Sequence, residues 1–315
     1  MKIHKIITAT LALMLLISSA PGQDKRTIET RVADLLAQFP ANDLRYTDRL
    51  MGDMVALGDA GLRLVCDQII PAGTGDDTRA RFGIESLSRF LSAPGREKER
   101  VMWEELCISY ARNKSDNGVK DFFMKQLQTT GRDPSVEALK EYLDDKEICG
   151  PALAAINAIG GPTAERVLAE ALKNRSLPCA AAVMNALASL NSQVAVNEYI
   201  MWASNISVNI RASAYNALAR SGSPQAYPVL LKAARGVKFR WEHTGAVASL
   251  LTYARVAGEN GDVKTLDRIC KLVIARCNDK ITIQNKIAAL TVYTGFHGKN
   301  AMNELLKAAG HPDKK

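Results

Sequence analysis

A short alanine-rich motif occurs three times in this chain, and its spacing limits the folds that the chain can adopt. Each copy is an asparagine followed by alanine and then by isoleucine or leucine. The copies begin at Asn157, Asn185 and Asn216, so the motif returns after 28 and then after 31 residues. Self-similarity at such a period is typical of stacked helical hairpins, each of which buries its apolar side against its neighbours. The repeat therefore favours an array of hairpins over one closed core.

Almost every segment of the sequence has the apolar periodicity of a helix, and no segment has the clear alternation of a β-strand. Thr265–Cys277 is an example, because its apolar residues recur three and four positions apart. Turns rich in glycine and polar residues, at 160–164, 190–195 and 221–226, separate the helices of the repeats. We therefore predict an all-α protein, a right-handed α-solenoid of helical hairpins whose second helices line a concave face.

The repeats are clear in residues 135–315 and more divergent in residues 24–134. In the divergent part, Asp77–Leu87 still has a pattern similar to that of Asn209–Leu218, with an arginine in the first turn. We therefore expect one continuous array. The predicted last helix, Ala301–Ala309, needs a partner for its apolar side, because solenoids normally close with a polar capping repeat. We expect the array to be truncated at Lys315, as the N-terminal portion of a longer polypeptide with a covalently linked C-terminal domain.

Residues 1–22 have the pattern of a secretory signal peptide. Lys2 and Lys5 precede an apolar run from Ile6 to Ile17, and small residues follow this run. The run is shorter than the roughly 20 residues that a membrane span needs, and an uncleaved anchor is the alternative interpretation. No later segment is apolar enough to span a membrane. We expect cleavage after Gly22 and a mature protein that is periplasmic or secreted.

The chain has 41 lysine and arginine residues against 33 aspartate and glutamate residues, which gives a net charge of +8. A basic balance of this kind occurs in nucleic-acid-binding proteins. Here the basic residues are scattered along the helices, and the predicted leader directs the chain away from nucleic acid. A solvated surface is therefore favoured, and we predict no nucleic-acid partner.

The six cysteines form no CxxC pair and match no zinc-binding spacing. Cys149 and Cys179 lie at the predicted starts of neighbouring repeat helices, so their side chains can approach one another. In an oxidising compartment this pair is a candidate disulfide. The alternative is that the cysteines are small buried hydrophobic residues.

The sequence contains no recognisable catalytic set. Three histidines follow the predicted leader, and none lies in a His-Glu-x-x-His arrangement. Neither the Gly-x-Ser-x-Gly nucleophile elbow nor the Gly-x4-Gly-Lys phosphate loop occurs. We therefore predict no catalytic residue, no metal site and no cofactor in this chain.

The segment Lys238–His243 brings aromatic, basic, acidic and imidazole groups together. Aromatic faces beside arginine suit a sugar ring or a peptide, and stacked repeats can add residues of the preceding unit to the same surface. The alternative is that the aromatic residues pack between helices and that the arginine of the preceding unit bonds a helix end. The candidate binding residues are Arg211, Tyr215, Arg240, Trp241 and His243.

The segment Asn209–Ser223 resembles the second helix and turn of a HEAT repeat, a family similar to armadillo repeats, and this resemblance covers residues 135–315. More narrowly, residues 23–27, 43–87 and 179–223 look like the N-terminal helical region of exported Bacteroidetes proteins. In those proteins the helical region precedes a 3-keto-disaccharide hydrolase domain, similar to glycoside hydrolase family 16. This chain does not contain that domain.

Two functions follow as expectations. The first is an exported, non-catalytic scaffold that binds a protein or a glycan on its concave face. The second is implied by the resemblance alone. It is the helical arm of a carbohydrate-active enzyme whose catalytic domain lies outside this chain, so a role in an enzyme stays open.

Overall fold

The structure is a computed structural model that describes residues 26–41, 43–302 and 305–306. The predicted signal peptide, residues 1–22, lies outside these ranges, as do residues 303–304 and 307–309 of the last predicted helix. Every regular element among the described residues is an α-helix or a short 3-10 helix, so the predicted all-α class is confirmed. In the same part of the chain, no helix combines the length and the apolar character that crossing a membrane requires.

The chain divides into two compact units, one ending at Phe90 and the other beginning at Leu91. The first four helices are α1 (Ile28–Leu36), α2 (Leu44–Val55), α3 (Gly58–Cys66) and α4 (Thr78–Leu91). The remaining helices are α5 (Glu97–Asn113), α6 (Asn117–Thr130), α7 (Asp133–Leu139), α8 (Cys149–Ile159), α9 (Gly161–Ala171), α10 (Ala180–Ser189), α11 (Val196–Trp202), α12 (Val208–Ser221), α13 (Ala226–Gly236), α14 (Ala246–Glu259), α15 (Val263–Arg276) and α16 (Ile283–His297), with 3-10 helices at Lys140–Asp144 and Gly298–Ala301.

The division at Phe90 follows packing, whereas the predicted boundary between residues 24–134 and 135–315 follows sequence similarity. The second boundary therefore stays a prediction. In the first unit, α1, α2 and α3 pack on one another around fully buried side chains such as Met51 and Met54. Polar side chains fix where these helices begin, because Asp43 accepts a hydrogen bond from the backbone N–H of Tyr46 at 2.8 Å.

In the second unit, alternate helices pack side by side. Helices α6, α8, α10, α12, α14 and α16, the even-numbered row, each contact the next member of this row. The odd-numbered helices lie between them in sequence, and each packs against at least one of the row members that flank it. All extensive helix contacts of the described residues join helices that are at most two apart in the chain. Sequence neighbours therefore supply most of the surface against which each helix is buried.

The three copies of the repeated motif lie in α8, α10 and α12, which are consecutive members of the even-numbered row. Leu187 and Leu218, the aliphatic residues of the second and third copies, are fully buried, whereas Ile159 of the first is half-buried. Asn157 and Asn185 are exposed. Asn216 of the third copy is half-buried, so only the second copy combines a fully buried aliphatic side chain with an exposed asparagine.

Candidate functional site

The five candidate binding residues lie in the second unit, at the N-terminal ends of two helices that pack together. Arg211 and Tyr215 are on α12, while Arg240, Trp241 and His243 belong to the loop between α13 and α14. Helices α12 and α14 contact each other, so this loop and the first half of α12 are neighbours.

The loop begins with an unusual backbone conformation. Lys238 and Phe239 both have positive φ angles, 54° and 57°, which residues with a side chain rarely adopt. The surrounding structure holds this conformation, because the Phe239 side chain is buried and its carbonyl accepts a hydrogen bond from Asn285 Nδ2 at 2.8 Å. The thiol of Cys277 points at the same carbonyl, with a separation of 3.9 Å. Strained backbone that is fixed in this way is found preferentially at functional sites.

Glu242 fixes the second half of the loop. Its carboxylate accepts hydrogen bonds from the backbone N–H of Thr244 at 2.7 Å and of Ala246 at 3.0 Å, and from the Thr244 hydroxyl at 2.6 Å. Burial raises the pKa of Glu242, but these hydrogen bonds and the charge of Arg211 outweigh it and hold the pKa below its ordinary value. The Glu242 carboxylate thus caps the N-terminal end of α14 and anchors the loop to that helix.

Trp241 projects from this fixed loop and is 72% exposed. Its ring meets the ring of His243 edge-on, with centroids 5.0 Å apart, and His243 is exposed as well. Trp202 is the contrasting case, because it is buried and its indole N–H donates to the Leu172 carbonyl at 2.9 Å. The packing interpretation therefore describes Trp202, and it does not describe Trp241.

The Arg211 side chain is hydrogen-bonded to the loop that precedes α12. Its Nη1 atom donates to the carbonyls of Asn205 at 2.8 Å and Ile206 at 2.9 Å. The charges of Arg211 and Glu242 both act on half-buried Tyr215, whose pKa is raised, chiefly by burial. Glu242 thus joins the two groups of candidates at one surface. Arg240 is exposed, and its charge adds to the hydrogen bonds of Thr282 in lowering the pKa of Asp279, in the loop before α16.

The sequence reasoning missed one residue at this surface. Ile206 is 95% exposed, and its carbonyl is bonded by Arg211. The available signal was an isoleucine in the otherwise polar turn of residues 204–207, where a solvent-facing chain normally carries polar side chains. We call Ile206, Arg211, Tyr215, Arg240, Trp241 and His243 the Trp241 surface.

The candidate disulfide pair lies elsewhere in the second unit. Cys149 begins α8 and Cys179 immediately precedes α10, and neither forms a disulfide in the structure. Burial and a hydrogen bond with the Cys149 thiol raise the pKa of Cys179 to about 12. The two side chains are therefore neighbours, and the disulfide stays a prediction.

No cluster of histidine, cysteine and acidic residues suited to a metal ion occurs in the described part of the chain. The loop at 71–77 is held by hydrogen bonds to its own aspartates. Asp77 accepts from the backbone N–H of Ile70 at 3.1 Å, and Asp76 accepts from that of Thr78 at 3.0 Å.

No family model matches this sequence, and no curated protein is significantly similar to it. The arguments about function therefore depend on the surface itself.

Proposed function

We propose that this chain is an exported, non-catalytic scaffold of HEAT-like hairpins that binds a protein or a glycan through the Trp241 surface. The observation that carries the proposal is the exposure of Trp241 on a loop whose backbone is strained and anchored at both halves. A large aromatic side chain gains free energy when a partner covers it. A fixed loop loses little conformational entropy when it binds, so such an anchor favours affinity.

The proposal includes a right-handed solenoid with the even-numbered row on its concave face. Two observations support a solenoid. The first is the packing of each helix with helices at most two apart in the chain. The second is the separation of many bonded side chains, which resembles the repeat length. Ser192 and Glu165 are 27 positions apart, Trp202 and Leu172 are 30 apart, and Arg220 and Ala188 are 32 apart.

The proposed concave face also offers groups that can form hydrogen bonds. Asn157, Asn185 and Asn216 occupy equivalent positions on three row members, whose axes in packed helices lie about 8–10 Å apart. Their side chains form no hydrogen bond among the described residues. A carboxamide both donates and accepts, which matches peptide groups as well as sugar hydroxyls.

The second candidate function is the helical arm of a carbohydrate-active enzyme whose catalytic domain is not in this chain. The exposed indole face of Trp241 favours it, because the C–H face of a sugar ring stacks on aromatic rings. The resemblance to exported Bacteroidetes proteins motivates the same candidate. Both functions predict that Trp241 contacts the ligand. Only the second predicts that the natural polypeptide also contains a catalytic domain.

The experiment uses residues 23–315 and two probes, an array of oligosaccharides and a displayed peptide library. We expect one of the two probes to yield a ligand, and Trp241→Ala to weaken its binding at least tenfold, which corresponds to about 1.4 kcal/mol. The control is Val263→Ala, which changes an exposed apolar residue at the start of α15 and should bind like the parent. Full binding by Trp241→Ala, or hydrolysis of glycosides at enzyme-like rates, would refute the proposal.

A further inference from the structure

A second candidate site lies at the C-terminal ends of three helices of the even-numbered row, whereas Trp241 lies near the N-terminal ends. It is a pocket of about 250 Å³ over the C-terminal ends of α10, α12 and α14. This volume lies somewhat below the roughly 300 Å³ at which pockets for drug-sized ligands begin, so it suits a smaller molecule. The lining residues are Asn191, Gln193, Arg220, Ser221, Arg255, Val256, Glu259 and Asn260.

The pocket is formed by the residues at the C-terminal ends of α10, α12 and α14. The backbone conformation after α10 and α12 helps to bring polar side chains together there. Asn191 follows α10 in the left-handed conformation, with φ of 52°. Gly222 follows α12, also with positive φ, and a Cβ atom there would lie only 2.9 Å from Nδ2 of Asn260. Glycine therefore allows the end of α12 to approach the end of α14.

The Arg220 side chain connects two of the helices that line the pocket. Its Nε atom donates to the carbonyl of Ala188 in α10 at 2.9 Å, which fixes the plane of the guanidinium between two row members. Its terminal nitrogens form no other hydrogen bond within the described residues. Arg255 differs, because it is paired with the Glu259 carboxylate four positions further along α14.

Three carboxamides complete the lining. The side chains of Asn191, Gln193 and Asn260 form no hydrogen bond in the described part of the chain, and all three are exposed. Each carboxamide presents two N–H donors and one carbonyl acceptor. The pocket therefore offers donors and acceptors side by side on a scaffold that the helix ends hold in place.

The charges of the pocket oppose one another. The lining contains two guanidinium groups and one carboxylate. The ends of α10, α12 and α14 add the partial negative charge that helix C-termini carry. A ligand with a strong charge of either sign gains little from this balance, whereas hydroxyl groups, which donate and accept, match the mixed lining. Val256 adds a small apolar contact for C–H groups.

We propose that this pocket binds a neutral, hydroxyl-rich molecule of the size of one sugar unit. The pocket and Trp241 lie at opposite ends of the α12–α14 pair, and α14 has 14 residues, about 20 Å at 1.5 Å per residue. The proposal goes beyond the binding function of the Trp241 surface and stands whether or not that surface has a ligand.

The test is titration of the intact chain with glucose, galactose, mannose, xylose and N-acetylglucosamine, followed by ligand-observed NMR, with glucuronate as the charged comparison. We expect saturable millimolar binding of at least one neutral sugar. Gln193→Ala and Asn260→Ala should each weaken this binding about three- to tenfold, the loss expected for one or two hydrogen bonds.

Two controls separate this site from others. Gln128→Ala removes an exposed carboxamide of α6 that is not part of the pocket lining and should leave sugar binding unchanged. Sugar binding that Gln193→Ala and Asn260→Ala weaken is assigned to the pocket, and sugar binding that only Trp241→Ala weakens is assigned to the Trp241 surface, so failure of this proposal and failure of the proposed function give different results. The proposal is overturned if no neutral sugar binds or if only glucuronate binds. It is also overturned if Trp241→Ala abolishes binding while both pocket variants retain it.

Discussion

Replacement of Glu104 is the most direct test of how the second unit is held together. Glu104 lies on α5 and its side chain is 1% exposed. One carboxylate oxygen accepts from the backbone N–H of Arg132 at 2.8 Å and from the Ser135 hydroxyl at 2.6 Å. The other accepts from Nε of the Arg132 guanidinium at 2.7 Å. The residue thereby satisfies the N-terminal end of α7, where Arg132 provides no side-chain cap.

The magnitude follows from the groups that each variant leaves without a partner. In Glu104→Ala, the buried Ser135 hydroxyl and the part-buried Arg132 N–H both lose their acceptor, at up to about 1–3 kcal/mol each, with the larger share for Ser135. The Arg132 guanidinium is 38% exposed and can be rehydrated, so the lost ion pair adds less than a fully buried pair would. We expect a loss of about 3–5 kcal/mol. Glu104→Gln keeps one acceptor oxygen for the Arg132 N–H and the Ser135 hydroxyl and should cost about 1–2 kcal/mol.

The assay is urea unfolding followed by circular dichroism, with hydrogen exchange to locate the change in α5 and α7. The matched controls are Glu105→Ala and Glu105→Gln, because Glu105 is the next residue and is exposed. Both controls should lie within about 0.5 kcal/mol of the parent. If Glu104→Ala unfolds like Glu105→Ala, the hydrogen bonds described for Glu104 do not contribute to stability and the argument is wrong.

Two further predictions concern the packed core. Leu218→Ala removes a fully buried side chain of α12 and should cost about 2–5 kcal/mol, with faster hydrogen exchange in α10 and α14; an unchanged melting temperature would contradict the assigned packing. Burial raises the pKa of the Cys270 thiol from an ordinary value of 9.0 to about 12, so this thiol's contribution to stability is complete below pH 9 and is lost as the pH rises towards 12. Urea midpoints between pH 8 and 11 should fall less steeply in Cys270→Ala than in the parent, and equal slopes would count against this linkage.

The sequence predicts the helices well because helical periodicity is a local property. Thr265–Cys277 was read as helical from its apolar spacing, and α15 covers Val263–Arg276. The ends are less well predicted, since they depend on caps and turns. The turn at 160–164 is an example, because α9 begins within it, at Gly161, and Pro162 takes the second position of the helix.

Exposure of aromatic residues was not predictable from local sequence. Trp202 is the last residue of α11 and Trp241 lies in the loop between two helices, yet one is buried and the other is not. Trp202 is buried because its indole N–H reaches the Leu172 carbonyl, 30 positions away. Trp241 follows two residues with positive φ, which turn the chain outwards, and no residue pattern in Lys238–Phe239 announces that conformation. The pocket at the helix ends was not predictable either, because residues from three separate turns line it and their proximity is not visible in local sequence.

The contacts themselves extend the repeat beyond the part of the sequence where residue identity reveals it. Arg132 and Glu104 are 28 positions apart, and Tyr142 and the Ala111 carbonyl, at 3.4 Å, are 31 apart. These separations equal those between the three motif copies, although residues 104 and 111 precede the clear repeats that begin at residue 135. The bonded residues are thus separated by 28 and 31 positions in this segment as well, although they differ in kind. This supports the view that the divergent segment from residue 97 onward and the clear repeats form one array. In such an array, replacement of Glu104 should first destabilise α7, the helix whose N-terminal end it bonds.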